Sequence, residues 1–131
     1  LAAAGLYNGT DFHRVVPGFV IQGGFLSGRR PPMDETYGSW LQPLRAEFSD
    51  RPHDRGVLSM ARGTDPDSAM DSFFICLARQ TSLDGKYTVF GAVTRGLDVV
   101  DRIATMACDE QERPIQRVAI REIRVIEEMK P

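Results

Sequence analysis

The sequence predicts a single, mainly β domain, and three observations carry that expectation. Six runs rich in β-branched and aromatic residues are separated by Gly, Pro or Asp. One internal segment alone, Leu97 to Met106, keeps a helical period, with Leu97, Val100, Ile103 and Ala104 on one face. The chain has 131 residues, 42% of them hydrophobic, which is enough for one core, and no linker or repeat divides it. Many short strands with few helices suit a sandwich or a barrel, and periodicity alone does not choose between them.

Along the chain, LAAAGLY at 1–7 has the composition of a helix ending, with Gly5 as its cap before a turn at Asn8-Gly9. A helix that is all exit implies a missing beginning. Strands follow at DFHRVV (11–16) and FVIQ (19–22). From Phe25 to Ala46, consecutive prolines and scattered charges without a sustained period predict a long surface excursion, pinned by Trp40 and Leu41. Further strands are expected at GVLSMA (56–61), SFFICLA (72–78), YTVFGAVT (87–94) and RVAIREIRVI (117–126).

The net charge of −2 and the pI near 5.7 give no electrostatic reason to expect nucleic acid or an anionic membrane as partner. No apolar run approaches the roughly 20 residues a bilayer requires. A cytoplasmic location is the expectation, with export as the alternative because the chain opens at Leu1 rather than at a methionine. Cys76 and Cys108 are read as reduced thiols, Cys76 inside the apolar run FFICLA. Asp65, Asp67 and Asp71 cluster near Pro66 but lack the glycine and distal glutamate of a calcium loop, so turn chemistry explains them. No C-x-x-C or other short-range ligand pair suggests a metal, and no cofactor motif is present. Ser59 and Ser72 lie outside any G-x-S-x-G elbow.

The run FHRVVPGFVIQGG, 12–24, places polar residues in both arms of an apolar hairpin. Arg14 shares a strand face with Phe12 and Val16, while His13 and Val15 take the other. A two-residue loop of Pro17-Gly18 would put His13 opposite Gln22. A three-residue loop that includes Phe19 would pair Val16 with Val20 and set Arg14 against Gln22, whose amide oxygen could then fix the guanidinium; this register is favoured. The plainer alternative has both side chains facing water.

That hairpin, with GVLSMARGTDPDSA, SFFICLA and LDGKYTVFGAVTRGLDVVDRI in the same order, resembles the cyclophilin family of peptidyl-prolyl cis/trans isomerases, most closely its bacterial members. The resemblance implies an eight-stranded antiparallel β-barrel with capping helices, acting on Xaa-Pro bonds in peptides and unfolded protein segments during folding, without cofactor. It implies Arg14 as the catalytic group, Gln22 as its holder, and a proline pocket of Phe19, Val20, Met60, Phe74 and Leu83. The backbone of Ala61 and Arg62 would pair with the substrate chain. His13 is expected to be structural.

Departures from the family pattern bear on activity. Ser72 replaces a groove glutamine, Ser82 stands where relatives carry tryptophan or another aromatic, and Tyr87 takes a position held by histidine or tyrosine. Weak cyclosporin binding is therefore expected. DETYGSWLQP replaces a glycine-rich segment and would reshape one groove edge. Two N-terminal strands of the family pattern are absent, so the domain over 1–131 is expected to be N-terminally incomplete, its barrel completed by an upstream segment or a partner chain. The rival readings are a catalytically weak proline-peptide-binding or chaperone-like module on the same fold, and a structural subunit of another chain's barrel.

Overall fold

In the computed structural model, residues 1–32, 34, 38 and 40–126 are described. The expected strands form in order: β1 (Thr10–Val16), β2 (Val20–Gly23), β3 (Val57–Met60), β4 (Phe73–Cys76), β5 (Val89–Ala92) and β6 (Ala119–Ile120), with helix α1 (Leu97–Ala104) before β6. They make one antiparallel sheet in the order β5-β3-β4-β2-β1-β6.

The central strand β4 is buried at every position, FFIC, because apolar groups cover both of its faces. On one face Val15, Ile21, Ile75 and Leu77 pack together beneath Val100 of α1, joined by Leu58 and Ile103. Each such side chain contributes about 1.5–3 kcal/mol through removal from water. On the other face Val20, Phe74, Cys76 and Leu83 form a second cluster, edged by Phe19, Ala61 and Tyr87. This division follows from strand alternation, and it gives the second face to the site.

The helix presents Val100 to the sheet and keeps Asp98 in its first turn and Arg102 in its last, each favourable to the helix dipole. The two glycines closing the hairpin have a packing cause. A Cβ at Gly23 would lie 2.8 Å from the Phe12 ring, and one at Gly24, where φ is +83°, would lie 2.7 Å from the Phe73 ring.

Several expectations are corrected. The opening residues form consecutive turns rather than a helix end, Gly5 N–H donating to the Ala2 carbonyl oxygen over 2.9 Å. The last strand is two residues long instead of ten. Its partner β1 begins at Thr10, and Gly9 N–H caps the Ile120 carbonyl oxygen at 2.8 Å, so the ladder stops there. Among its described residues the excursion has a 3-10 turn at Leu26–Gly28, 3-10 conformation at Gly38 and Trp40, and a β-bridge from Leu44 to Ala69. Trp40 is 52% exposed and Leu41 half-buried. Main-chain ties include Leu26 N–H to Asp71 Oδ2 (2.8 Å), Arg30 N–H to the Gly9 carbonyl oxygen (2.9 Å), Leu44 N–H to the Ala69 carbonyl oxygen (2.7 Å) and Ala46 N–H to Asp67 Oδ1 (2.8 Å). Of the replaced glycine-rich segment, residues 35–37 and 39 lie outside those described.

Candidate active site

The hairpin register decides which side chains meet. Val16 pairs with Val20 and Arg14 with Gln22, leaving Pro17, Gly18 and Phe19 in the loop. Arg14 Nη1 donates to Gln22 Oε1 over 3.5 Å, and Arg14 Nε donates to Glu112 Oε1 over 3.2 Å. The Arg14 side chain is 39% exposed, so it is anchored but reachable from solvent.

Arg14, Gln22, Phe19, Val20, Phe74, Leu83, Ala61, Arg62 and Tyr87 line a cavity of about 410 Å³. That is a size suited to a small apolar ligand group. Phe74 forms the floor: its ring stacks on His53 (centroids 6.1 Å, 18°) and meets Tyr87 edge-on (5.7 Å, 82°). The Arg62 guanidinium lies over the Tyr87 ring, 4.4 Å from its centroid. It is held by the Lys86, Gly63 and Thr64 carbonyl oxygens.

One expected pocket residue lies elsewhere, and the groove residue Ser72 falls just outside the first cavity. Met60 shares a strand face with Leu58, and strand alternation turns it to the α1 side of the sheet, opposite Phe73. Ser72 lines a neighbouring cavity of about 350 Å³ that shares Gln22, Ala61 and Arg62 with the first. Its hydroxyl lies 3.3 Å from Asp71 Oδ1. Ser82 sits exposed in the 3-10 turn Thr81–Leu83.

The face expected for His13 is corrected. The pairing jumps from Phe12↔Gly23 to Arg14↔Gln22, so His13 is the extra residue of a β-bulge. The bulge breaks simple alternation and brings His13 Nε2 to 3.5 Å from Gln22 Nε2. Burial holds its pKa below the ordinary histidine value, and its Nδ1 is buried without a partner among the described residues. The acidic cluster is used by main-chain donors: Asp65 Oδ1 accepts from Asp67 N–H, and Asp71 Oδ2 from Leu26 N–H. Cys76 and Cys108 are free thiols, and burial pushes that of Cys76 up to about 11.

A buried array beneath the cavity went unseen in the sequence. His53 Nδ1 donates to Asp84 Oδ1 (3.1 Å) and its Nε2 accepts from the Ser59 hydroxyl (2.9 Å). The order resembles a hydrolytic triad, but His53 and Ser59 are fully buried, so no substrate reaches the hydroxyl. Its effect is to fix the histidine ring on which Phe74 lies. The only hint in the sequence is Ser59 itself, a polar residue inside the apolar run VLSMA.

Asp84 accepts the His53 main-chain N–H at 2.7 Å as well, and this bond, with the side-chain bond, holds its carboxyl below the ordinary carboxylate value of 3.8. A folded-state pKa lower than the unfolded one stabilises the fold above the unfolded value and is lost as pH falls through the folded one. Asp84→Asn is therefore expected to melt below the parent at pH 7. The gap between the two melting temperatures should narrow as the pH is taken below about 4. A gap independent of pH would contradict this assignment.

The family model described as cyclophilin type peptidyl-prolyl cis-trans isomerase/CLD matches residues 1–125. The chain belongs to the cyclophilin family. Peptidyl-prolyl cis-trans isomerase CYP18-2 of Arabidopsis thaliana is 38% identical over 97% of this chain and 76% of its own length. A probable peptidyl-prolyl cis-trans isomerase of Brucella abortus is 43% identical over 79% of this chain and 56% of its own. These relatives span plant and bacterium, so they do not single out the bacterial branch. Among solved structures, a cyclophilin-type isomerase of Cryptosporidium parvum, crystallised in the presence of the dipeptide Ala-Pro, superposes with a TM-score of 0.83 at 30% identity. The match covers 98% of this chain and 81% of that one. This cyclophilin is thus a peptidyl-prolyl cis-trans isomerase with a mainly β cyclophilin fold.

Proposed function

We propose that Arg14 is the catalytic donor of this cyclophilin and that the Phe19, Val20, Phe74 and Leu83 cavity takes the substrate proline ring. Rotation about an Xaa-Pro bond must break amide resonance, and unaided it takes tens to hundreds of seconds. As the bond twists, the prolyl nitrogen loses its share of the resonance and gains a lone pair. A fixed guanidinium N–H aimed at that nitrogen binds the twisted state more strongly than either planar one, so it lowers the barrier with no covalent step. The observation that supports this reading is the Arg14–Gln22 pair at the rim of an apolar cavity.

The substrate's extended chain would run past Ala61 and Arg62. Ala61 N–H is already committed to the Ser72 carbonyl oxygen at 3.0 Å, so pairing falls to the Ala61 carbonyl oxygen and the Arg62 N–H. Clients are flexible or unfolded segments that expose Xaa-Pro bonds. Exchange NMR on a short Xaa-Pro peptide tests the reading. The proposal expects cis/trans exchange far above the uncatalysed rate. Peptide-induced shifts at Phe74 and Leu83 without faster exchange would leave only a proline-binding module.

Cyclosporin binding should be weak because exposed Ser82 offers no aromatic edge to the ligand. Calorimetric titration of the parent and Ser82→Trp is expected to show tighter binding by the variant, and equal affinity would refute the role given to this position.

A further inference from the structure

The carboxylate beside Arg14 belongs to no expected part of the site. It comes from the loop between α1 and β6, which Asp109 organises: its Oδ1 accepts from the main-chain N–H groups of Gln111 (2.9 Å) and Arg113 (3.1 Å). Within that loop Glu112 has φ +66°, the one positive value at a non-glycine among the described residues. A Cβ is disfavoured there.

The unusual backbone lets one residue grip two successive residues of β1. The Glu112 carbonyl oxygen accepts from Val15 N–H over 2.8 Å, while its Oε1 accepts from Arg14 Nε over 3.2 Å. Strain beside a functional side chain is informative when the strained geometry makes a contact that a relaxed one would not. The contact here is to a different nitrogen from the one Gln22 engages. A guanidinium held at one nitrogen can still swing, whereas anchors at Nε and Nη1 fix its plane and leave the Nη2 N–H groups and the second Nη1 N–H without a partner among the described residues.

We propose that Glu112 is a positioning residue for isomerisation, which orients Arg14 from the side away from Gln22. The proposal rests on Arg14 as the catalytic donor. Glu112 acts through orientation, since it does not line the cavity proposed for the proline ring. It also explains why a side chain occupies a backbone conformation in which glycine would be unstrained.

The test is exchange NMR on an Xaa-Pro peptide, with melting curves, for the parent, Glu112→Ala, Glu112→Gln and Glu112→Gly, and for Arg14→Ala alone and combined with Glu112→Ala. Glu112→Ala should lower kcat about fivefold with little change in KM. Glu112→Gln keeps an acceptor oxygen and should recover most of the loss. Glu112→Gly should lose activity as Glu112→Ala does while melting higher, because glycine takes this φ without strain. A loop needed only for folding would not part activity from stability in that way. In the Arg14→Ala background, Glu112→Ala should change nothing further.

Parental kcat in Glu112→Ala and Glu112→Gly would overturn the proposal, as would a Glu112→Gln variant no better than Glu112→Ala. If Arg14→Ala is impaired while every Glu112 variant is normal, only the positioning role fails. If Arg14→Ala keeps parental activity, the catalytic reading of Arg14 fails and the role of Glu112 goes with it.

Discussion

Arg14→Ala should lower kcat/KM by about 10²- to 10³-fold, the loss typical of removing one preorganised donor aimed at the charge that develops in a transition state. The effect should fall on kcat. The proposed proline pocket of Phe19, Val20, Phe74 and Leu83 packs without Arg14, so on this reading KM should move little. Stability should hardly change, since the Arg14–Glu112 pair is 39% and 44% exposed and such pairs contribute less than about 1 kcal/mol. Arg14→Lys should rescue poorly. An ammonium on a flexible stem cannot face Gln22, Glu112 and the prolyl nitrogen from fixed directions. Exchange NMR at substrate saturation separates kcat from KM, and a loss confined to KM would assign Arg14 to binding rather than catalysis.

His53→Ala should have the largest effect on stability. The histidine is fully buried, and its loss opens a cavity under Phe74 and strips the Ser59 hydroxyl of its partner. Together these cost about 3 kcal/mol, a fall in Tm of about 10 °C for a domain of this size. Ser59→Ala removes a single hydrogen bond and should cost about 1 kcal/mol. The two variants should also differ in catalysis: without His53 the Phe74 ring loses its stacking partner and KM should rise, whereas Ser59→Ala leaves that ring supported. Calorimetry on both checks the ordering, and equal small shifts would mean that the array carries no weight in the fold.

What the sequence reveals of this protein depends on whether a feature is local. The hairpin register depends on loop length, which 13 residues narrow to two choices, and the one that makes an Arg14–Gln22 polar pair is the one that forms. The apolar run FFIC at β4 signals a strand buried on both faces without giving its neighbours. Met60 was misplaced because a strand's face is set by the sheet it joins, and the resemblance supplied a residue list without that alternation. His13 was misplaced for a related reason: a bulge changes the count by one, and no residue in FHR announces it. The end of β6 depends on where β1 runs out, far back in the chain.

The supports of the site were the least legible part. Asp84 meets His53 across 31 positions and Glu112 meets Arg14 across 98, and no spacing rule spans such separations. The clues are single residues in unexpected company, a serine in an apolar strand and a glutamate in a turn suited to glycine. The groups proposed to meet substrate come from short contiguous motifs, whereas those proposed to aim them come from wherever the fold brings a donor or acceptor.

The most direct test is a crystal structure of this cyclophilin with an Ala-Pro peptide in the groove. The proline ring should lie between Phe19, Phe74 and Leu83, with an Arg14 Nη within hydrogen-bond reach of the prolyl nitrogen and Gln22 and Glu112 still bound to the same guanidinium. A proline seated outside this cavity, or a guanidinium turned away from the prolyl nitrogen in the bound state, would contradict the account.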